Sequence, residues 1–198
     1  MRIKSMKVSS VILLMLVSTT AADESCFVDD FSDSRNSHWT PVIGDAWKIK
    51  DGELFGGDTE GNYSKAMTVS DIELTEGVIE ATVRPFGGRS SSIGIVGKYI
   101  DQQRCWYIRY AYWGIMLMVP GREPFYVAPY SMLENGHANA THPPVRLKLI
   151  IRNGRVGFFT DGVLRAVFQD PLAGRTGRPG LYTESASYAS HFSARKDR

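Results

Sequence analysis

The chain has 198 residues, 43% hydrophobic and 22% charged, with two cysteines and a formal net charge of +2. Three of its 23 basic residues, Arg2, Lys4 and Lys7, fall within the first 22 positions and none of the 21 acidic ones do, so residues 23–198 carry 20 cations against 21 anions. That balance excludes a nucleic-acid binder, which needs a phosphate-facing basic field, and a protein held to membranes by a polybasic patch.

The N-terminus has the order of a secretory signal: Arg2, Lys4 and Lys7, the apolar run Val11–Val17, then small residues through Ala22. Residues 1–22 are predicted to be this signal and residues 23–198 a single domain, large enough to bury about 70% of its unfolded surface. The apolar run falls short of the roughly 20 residues that span a bilayer, and no later run is longer. Asp23-Glu24-Ser25 before Cys26 does not resemble a lipid-attachment site. The expected location is therefore extracellular, or periplasmic in a Gram-negative cell, without membrane insertion.

From there on no helical period appears, and short alternating runs are separated by Gly, Asn, Asp or Pro, the pattern of an all-β sandwich. Strands are predicted at Phe27–Phe31, Trp47–Lys50, Glu53–Gly56, Tyr63–Thr68, Gly77–Pro85, Ser92–Tyr99, Arg104–Ala111, Gly114–Val119 and Tyr126–Pro129. After the long segment Tyr130–Pro143, a candidate rim loop or plain crossover, Val145–Arg152, Arg155–Thr160 and Val163–Phe168 form a meander. Its turns are Asn153-Gly154 and Asp161-Gly162, dipeptides that supply the two φ > 0 residues of a type I′ turn. Lys50-Asp51-Gly52-Glu53 is another tight turn, and Gly180–Tyr182 and Tyr188–Ala194 close the pattern.

Cys26 and Cys105 fit either one disulfide or ordinary free thiols, and they stand too isolated for a zinc site. Asn62 and Asn139 begin glycosylation sequons that matter only in a eukaryote. His38, His137, His142 and His191 have no partners at metal-ligand spacing, and no nucleophile elbow, phosphate loop or dinucleotide fingerprint occurs.

The segments DDFSD, HW, AWKIKDGEL, GIVGKYIDQQRCWYIRY, IIRNGRVGFFTDGV and GRPGLYTESASYASHFS resemble the concanavalin A-like lectin and glucanase superfamily, more closely its laminin G-like and family 16-type keto-disaccharide hydrolase branches. The resemblance covers nearly all of residues 23–198. It implies a two-sheet antiparallel jelly-roll β-sandwich that binds sugars on a concave face or its rim. One departure concerns calcium: the final strand reads Ser190-His191-Phe192-Ser193 where the family often has an Asp. Asp29 and Asp30 remain, but six or more oxygen ligands are not assembled, so no cofactor or metal is expected apart from the structural calcium that the resemblance leaves open.

In Cys105–Trp113, period two places Trp106, Ile108, Tyr110 and Tyr112 on one face and Tyr107, Arg109 and Ala111 on the other. Ile108 marks its face as the core side, which turns Tyr107 and Arg109 outward. An aromatic face suits the C–H side of a pyranose, and a guanidinium offers a planar fork to hydroxyls or a carboxylate. Glu80, Arg84 and Lys98 alternate with apolar residues on earlier strands, and under the sheet order implied by the resemblance they join Tyr107 and Arg109 in one polar groove. These five are the candidate ligand-binding residues, set against the alternative of solvated outer-face charges.

No catalytic residue is assigned. The superfamily's retaining glucanases carry Glu-x-Asp-x-x-Glu on one strand, placing two carboxylates about 5 Å apart, and Asp71-Ile72-Glu73-Leu74-Thr75-Glu76 has the types shuffled and runs into a turn. The function expected is an exported, lectin-like carbohydrate-binding module. The alternatives are an extracellular glycoside hydrolase or polysaccharide lyase, and a laminin G-like module that meets another extracellular protein.

Overall fold

A computed structural model describes residues 26–33, 38–44, 47–57, 64–85, 92–111, 114–129 and 143–197. The expectations for the signal, for Asn62 and Asn139, for Tyr112 and for the rim segment 130–142 lie outside these residues.

Fifteen strands lie among the described residues: β1 Cys26–Asp29, β2 Trp39–Ile43, β3 Trp47–Lys50, β4 Glu53–Gly56, β5 Lys65–Ser70, β6 Gly77–Pro85, β7 Ser92–Tyr99, β8 Cys105–Ala111, β9 Gly114–Met118, β10 Phe125–Pro129, β11 Val145–Arg152, β12 Arg155–Thr160, β13 Val163–Gln169, β14 Arg178–Glu184 and β15 Ser187–Lys196. They form an eight-stranded sheet, in the order β13-β12-β11-β6-β15-β4-β3 with β1 also on β15, and a seven-stranded sheet, β10-β9-β8-β7-β14-β5-β2. All pairings between these strands are antiparallel. Among the described residues no helix is long and apolar enough to cross a membrane.

The turns form for the reason the sequence suggests. Asp51-Gly52, Asn153-Gly154 and Asp161-Gly162 all have positive φ, the type I′ geometry whose twist matches the flanking strands. β2 escapes the alternation rule because Pro41 interrupts it, and it is tolerated there because β2 is an edge strand, where a missing N–H breaks no ladder.

The core lies between the sheets. Ile79, Ala81, Val83, Leu147, Leu149, Ile151 and Phe192 face it from one side, and Ile93, Ile95, Trp106, Ile108 and Leu181 from the other. One ion pair is sunk into it. Lys98 Nζ donates to Asp170 Oδ2 at 2.6 Å and to the Leu172 carbonyl at 3.2 Å. Asp170 Oδ1 accepts from Trp106 Nε1 at 2.9 Å and from the Leu172 amide at 2.8 Å. A β-bulge between Val96 and Lys98 explains the placement. Gly97 is the extra residue, and a Cβ there would strike the Trp106 ring. The bulge shifts the alternation by one, which carries Lys98 from the outer face to the core side. Lys98 is therefore a core residue and not a member of a surface groove.

Cys26 is exposed and Cys105 buried, and both are free thiols, so the disulfide alternative is not formed. Burial, with Asp101 as a lesser influence, pushes the Cys105 thiol up to about 11.

Replacing Asp170 with Ala strands Lys98 as a buried, unpaired cation and should lower stability by about 3–5 kcal/mol in urea unfolding; a loss under about 1 kcal/mol would contradict the clamp. A thiol reagent at about pH 8 should modify Cys26 in the native protein and reach Cys105 only after denaturation.

Candidate functional site

The candidate site is the outer face of the seven-stranded sheet, built by residues that alternate with the core positions. Register aligns them in rows across the strands. One row runs Tyr126, Met116, Arg109, Gly94, Tyr182 and Met67, from β10 to β5. A second runs Met118, Tyr107, Val96, Gly180 and Val69, and a third Ala111, Ser92, Glu184 and Lys65. Met67, Val69, Val96 and Tyr182 form a small apolar cluster separate from the core, with Tyr107 packed on it. Gly94 puts no side chain between Arg109 and Tyr182, and a Cβ there would meet the Ile108 carbonyl. Gly94 is thus a close approach of two strand backbones, buried between Arg109 and Tyr182 in the middle row.

Glu184 lies in the third row, on the same strand as Tyr182, with only 1% of its side chain exposed. Tyr182 donates its hydroxyl to Oε1 at 2.6 Å, and Lys65 Nζ lies 3.5 Å from the same oxygen. The Arg109 guanidinium pairs with Oε2, and Ser92 Oγ lies 3.4 Å from it. Arg109 Nε also donates to Ser92 Oγ at 3.0 Å. Four donors thus surround one carboxylate, enough to offset its removal from water. The Tyr107 and Tyr182 rings stack with centroids 4.2 Å apart at 31°. Burial first, then Tyr107 and Glu184, push the Tyr182 phenol far above its usual range, and burial likewise raises Tyr107.

These residues divide into supports and presenting groups. Tyr182, Glu184 and Ser92 are buried. Tyr107 is half-buried, the Arg109 side chain is 12% exposed, Lys65 is 53% exposed and Tyr126 is 58% exposed. Just outside Lys65 and Glu184 in sequence, the Ser64 and Ser185 hydroxyls are buried without a hydrogen-bond partner among the described residues.

Of the five residues singled out from the sequence, the structure brings Tyr107 and Arg109 together here. It does not bring the others. Glu80 and Arg84 lie on β6 in the opposite sheet, where Glu80 pairs with Arg146 and Lys148, while Arg84 pairs with Glu53 at 3.0 Å and lies 4.5 Å over the Tyr188 ring. β6 joins β11 and β15 and not β7, so the shared groove is not formed. Burial raises the Glu80 carboxyl, but hydrogen bonds and charge from Lys148 and Arg146 outweigh it, and the net shift is downward. The N-terminal acids have local partners: Asp29 accepts from the Phe31 amide at 2.7 Å and Trp39 Nε1 at 2.6 Å, and Asp30 from the Ser32 amide at 3.0 Å.

Glu184 escaped the sequence reading because the strand predicted at Gly180–Tyr182 stops two residues short of the end of β14, and Tyr182, Ser92 and Lys65, though on predicted strands, are tied to the site only by the cross-strand register around Glu184. Extended to Glu184, the same period-two rule that turned Tyr107 outward turns Tyr182 and Glu184 to one face.

No protein-family model matches the chain, and no curated protein matches its sequence. Solved structures match in fold. The β-glucanase of Bacillus licheniformis is 11% identical with a TM-score of 0.62, over 89% of this chain and 100% of its own. The fold is the concanavalin A-like jelly roll. The carbohydrate-binding module CBM66 from Bacillus subtilis is 13% identical with a TM-score of 0.57, over 80% of this chain and 94% of its own. A structure described with the endo-acting O-glycanases that prominent human gut microbes express to initiate mucin breakdown is 11% identical with a TM-score of 0.63, over 87% of this chain and 99% of its own. At such identities the likeness is one of fold, and jelly rolls host binding and catalysis alike.

The fold holds Tyr107 and Tyr182 neutral, so the unfolded chain releases their protons first as pH rises. The contribution of these two tyrosines to stability should be level below about pH 10 and fall above it. Tyrosinate absorbance should show a late-ionising fraction that disappears on denaturation, and Tyr182→Phe should flatten the alkaline loss. Tyrosines that all ionise together near pH 10 would contradict this.

Proposed function

We propose that this protein is an exported, noncatalytic glycan-binding module whose site is the outer face of the seven-stranded sheet. The observation that carries the reading is the state of Glu184. Among the residues of the three rows it is the sole carboxylate, and it is buried and bonded to Arg109, Tyr182, Lys65 and Ser92. A retaining glycosidase needs two carboxyl groups about 5 Å apart, one of them available to give and take a proton. Glu184 instead fixes the plane of Arg109, as a support for recognition.

The presenting groups suit a sugar. Tyr107, braced from behind by Tyr182, offers a rigid aromatic surface to pyranose C–H groups, and Tyr126 offers a second at the β10 rim. Arg109 and Lys65 are donors for ring hydroxyls. The solved structures of like fold, which include a carbohydrate-binding module and glycan-cleaving enzymes, support a glycan as the partner, and the N-terminal signal pattern supports export.

A panel of neutral polysaccharides should be incubated with the protein, with retention and soluble products read in the same tubes. Retention without product is expected, and Tyr107→Ala and Tyr126→Ala should each weaken it about three- to tenfold, the worth of one aromatic contact. Product release that Glu184→Gln abolishes would replace the binding reading with an enzymatic one.

A further inference from the structure

The other outer face, that of the eight-stranded sheet, has a different chemistry. On β11, Arg146, Lys148 and Arg152 alternate with core residues and point outward, as do Arg84 on β6 and Arg195 on β15, judged by their register. Lys48 and Lys50 on β3 and Arg155 on β12 continue the same side. On these strands and on β4, next to β3, the outward carboxylates are Glu53 and Glu80, and both are taken: Glu53 by Arg84, Glu80 by Arg146 and Lys148. Asp197, just past β15, holds Arg152, and Asp30 stands at the β1 rim near His191. Lys48, Lys50, Arg155 and Arg195 are exposed and hold no carboxylate among the described residues. A chain that is nearly neutral beyond its leader therefore concentrates positive charge on one face.

That face is also recessed. A shallow groove crosses β15 and β6, walled by Cys26 and Val28 on β1 and by Arg146 on β11, floored by Val78, Glu80 and Ser193, with His191 and Arg195 along it. From β1 to β11 it spans three strand spacings, about 14 Å. Alternate residues along a strand place charges about 7 Å apart. A recess of this width, flanked by Arg195 and Arg146, fits one extended chain bearing regular negative charges better than a plane of lipid headgroups.

We infer that the outer face of the eight-stranded sheet is a second binding site, for an acidic polysaccharide carrying carboxylate or sulfate groups, seated in the groove between Arg195 and Arg146. Charge complementarity is the basis of recognition, so binding is salt-sensitive: exposed charges are screened beyond about 10 Å at 0.1 M salt and about 3 Å at 1 M. The site is independent of the Tyr107 face.

The test is affinity chromatography of the full protein on immobilised dextran sulfate, polygalacturonate and neutral dextran, beside vesicles containing phosphatidylserine. Retention on one or both acidic polymers is expected, with elution as salt rises and none on neutral dextran; which acidic column retains the protein separates sulfate from carboxylate recognition. Arg195→Glu, at an exposed position without an ion-pair partner among the described residues, should leave the melting temperature unchanged and weaken retention about tenfold or more. Tyr107→Ala should leave it unchanged. Passage through both acidic columns, retention unaffected by Arg195→Glu, or binding to the vesicles alone would overturn the site.

Discussion

The Asp170 carboxylate fastens the sandwich across its two layers. It follows β13 at the edge of the eight-stranded sheet, yet its bonds run to Lys98 and Trp106 in the seven-stranded one. A charge so far from water persists only because every strong donor around it is aimed inward. The bulge at Gly97 makes this possible by turning Lys98 into the core. Val96 faces outward opposite Tyr107 by plain alternation, and the bulge just after it takes the Lys98 cation off that face, so the interaction that locks the layers also keeps a charge away from the aromatic side of the site.

Buried polar groups recur on the outer face, in a different role. The Glu184 charge is compensated by Arg109 and Lys65, and Tyr182 closes the shell from the strand that carries Glu184. A guanidinium held by a buried carboxylate loses little rotamer freedom when a ligand arrives, and a ring stacked on another ring loses little more. The two faces of the protein thus differ in kind: one is a pre-organised aromatic and polar surface, the other a solvated ladder of cations suited to long-range attraction.

Local chemistry made much of the fold readable. Asn153-Gly154 and Asp161-Gly162 dictate their turns whatever surrounds them, and Ile108 alone is enough to orient Tyr107 and Arg109. What stayed hidden is set by distant parts of the chain. Lys98 obeys the alternation rule until one extra glycine reverses it, and that glycine is explained only by Trp106 on the next strand. Glu80 and Arg84 have the right chemistry for a groove, but strand order places them on the opposite sheet. Pro41 disguised a strand that only an edge position permits. Glu184 was lost to a strand end misplaced by two residues, and in a structure of period two such an end decides whether a charge is seen at all.

The strand order has one more consequence. β14 lies between β7 and β5, and β15 between β6 and β4, so the last two strands in chain order occupy interior places in the two sheets. Until they arrive, β7 and β5, like β6 and β4, have no neighbour to join them, and each half of the sandwich is left with a gap where its middle should be. The hairpins of the meander can form early from local contacts, but closing the sheets brings together segments from opposite ends of the chain and carries the entropic cost of doing so. Closure of both sheets therefore waits on β14 and β15, and the strands before them cannot complete the sandwich until that pair is in place.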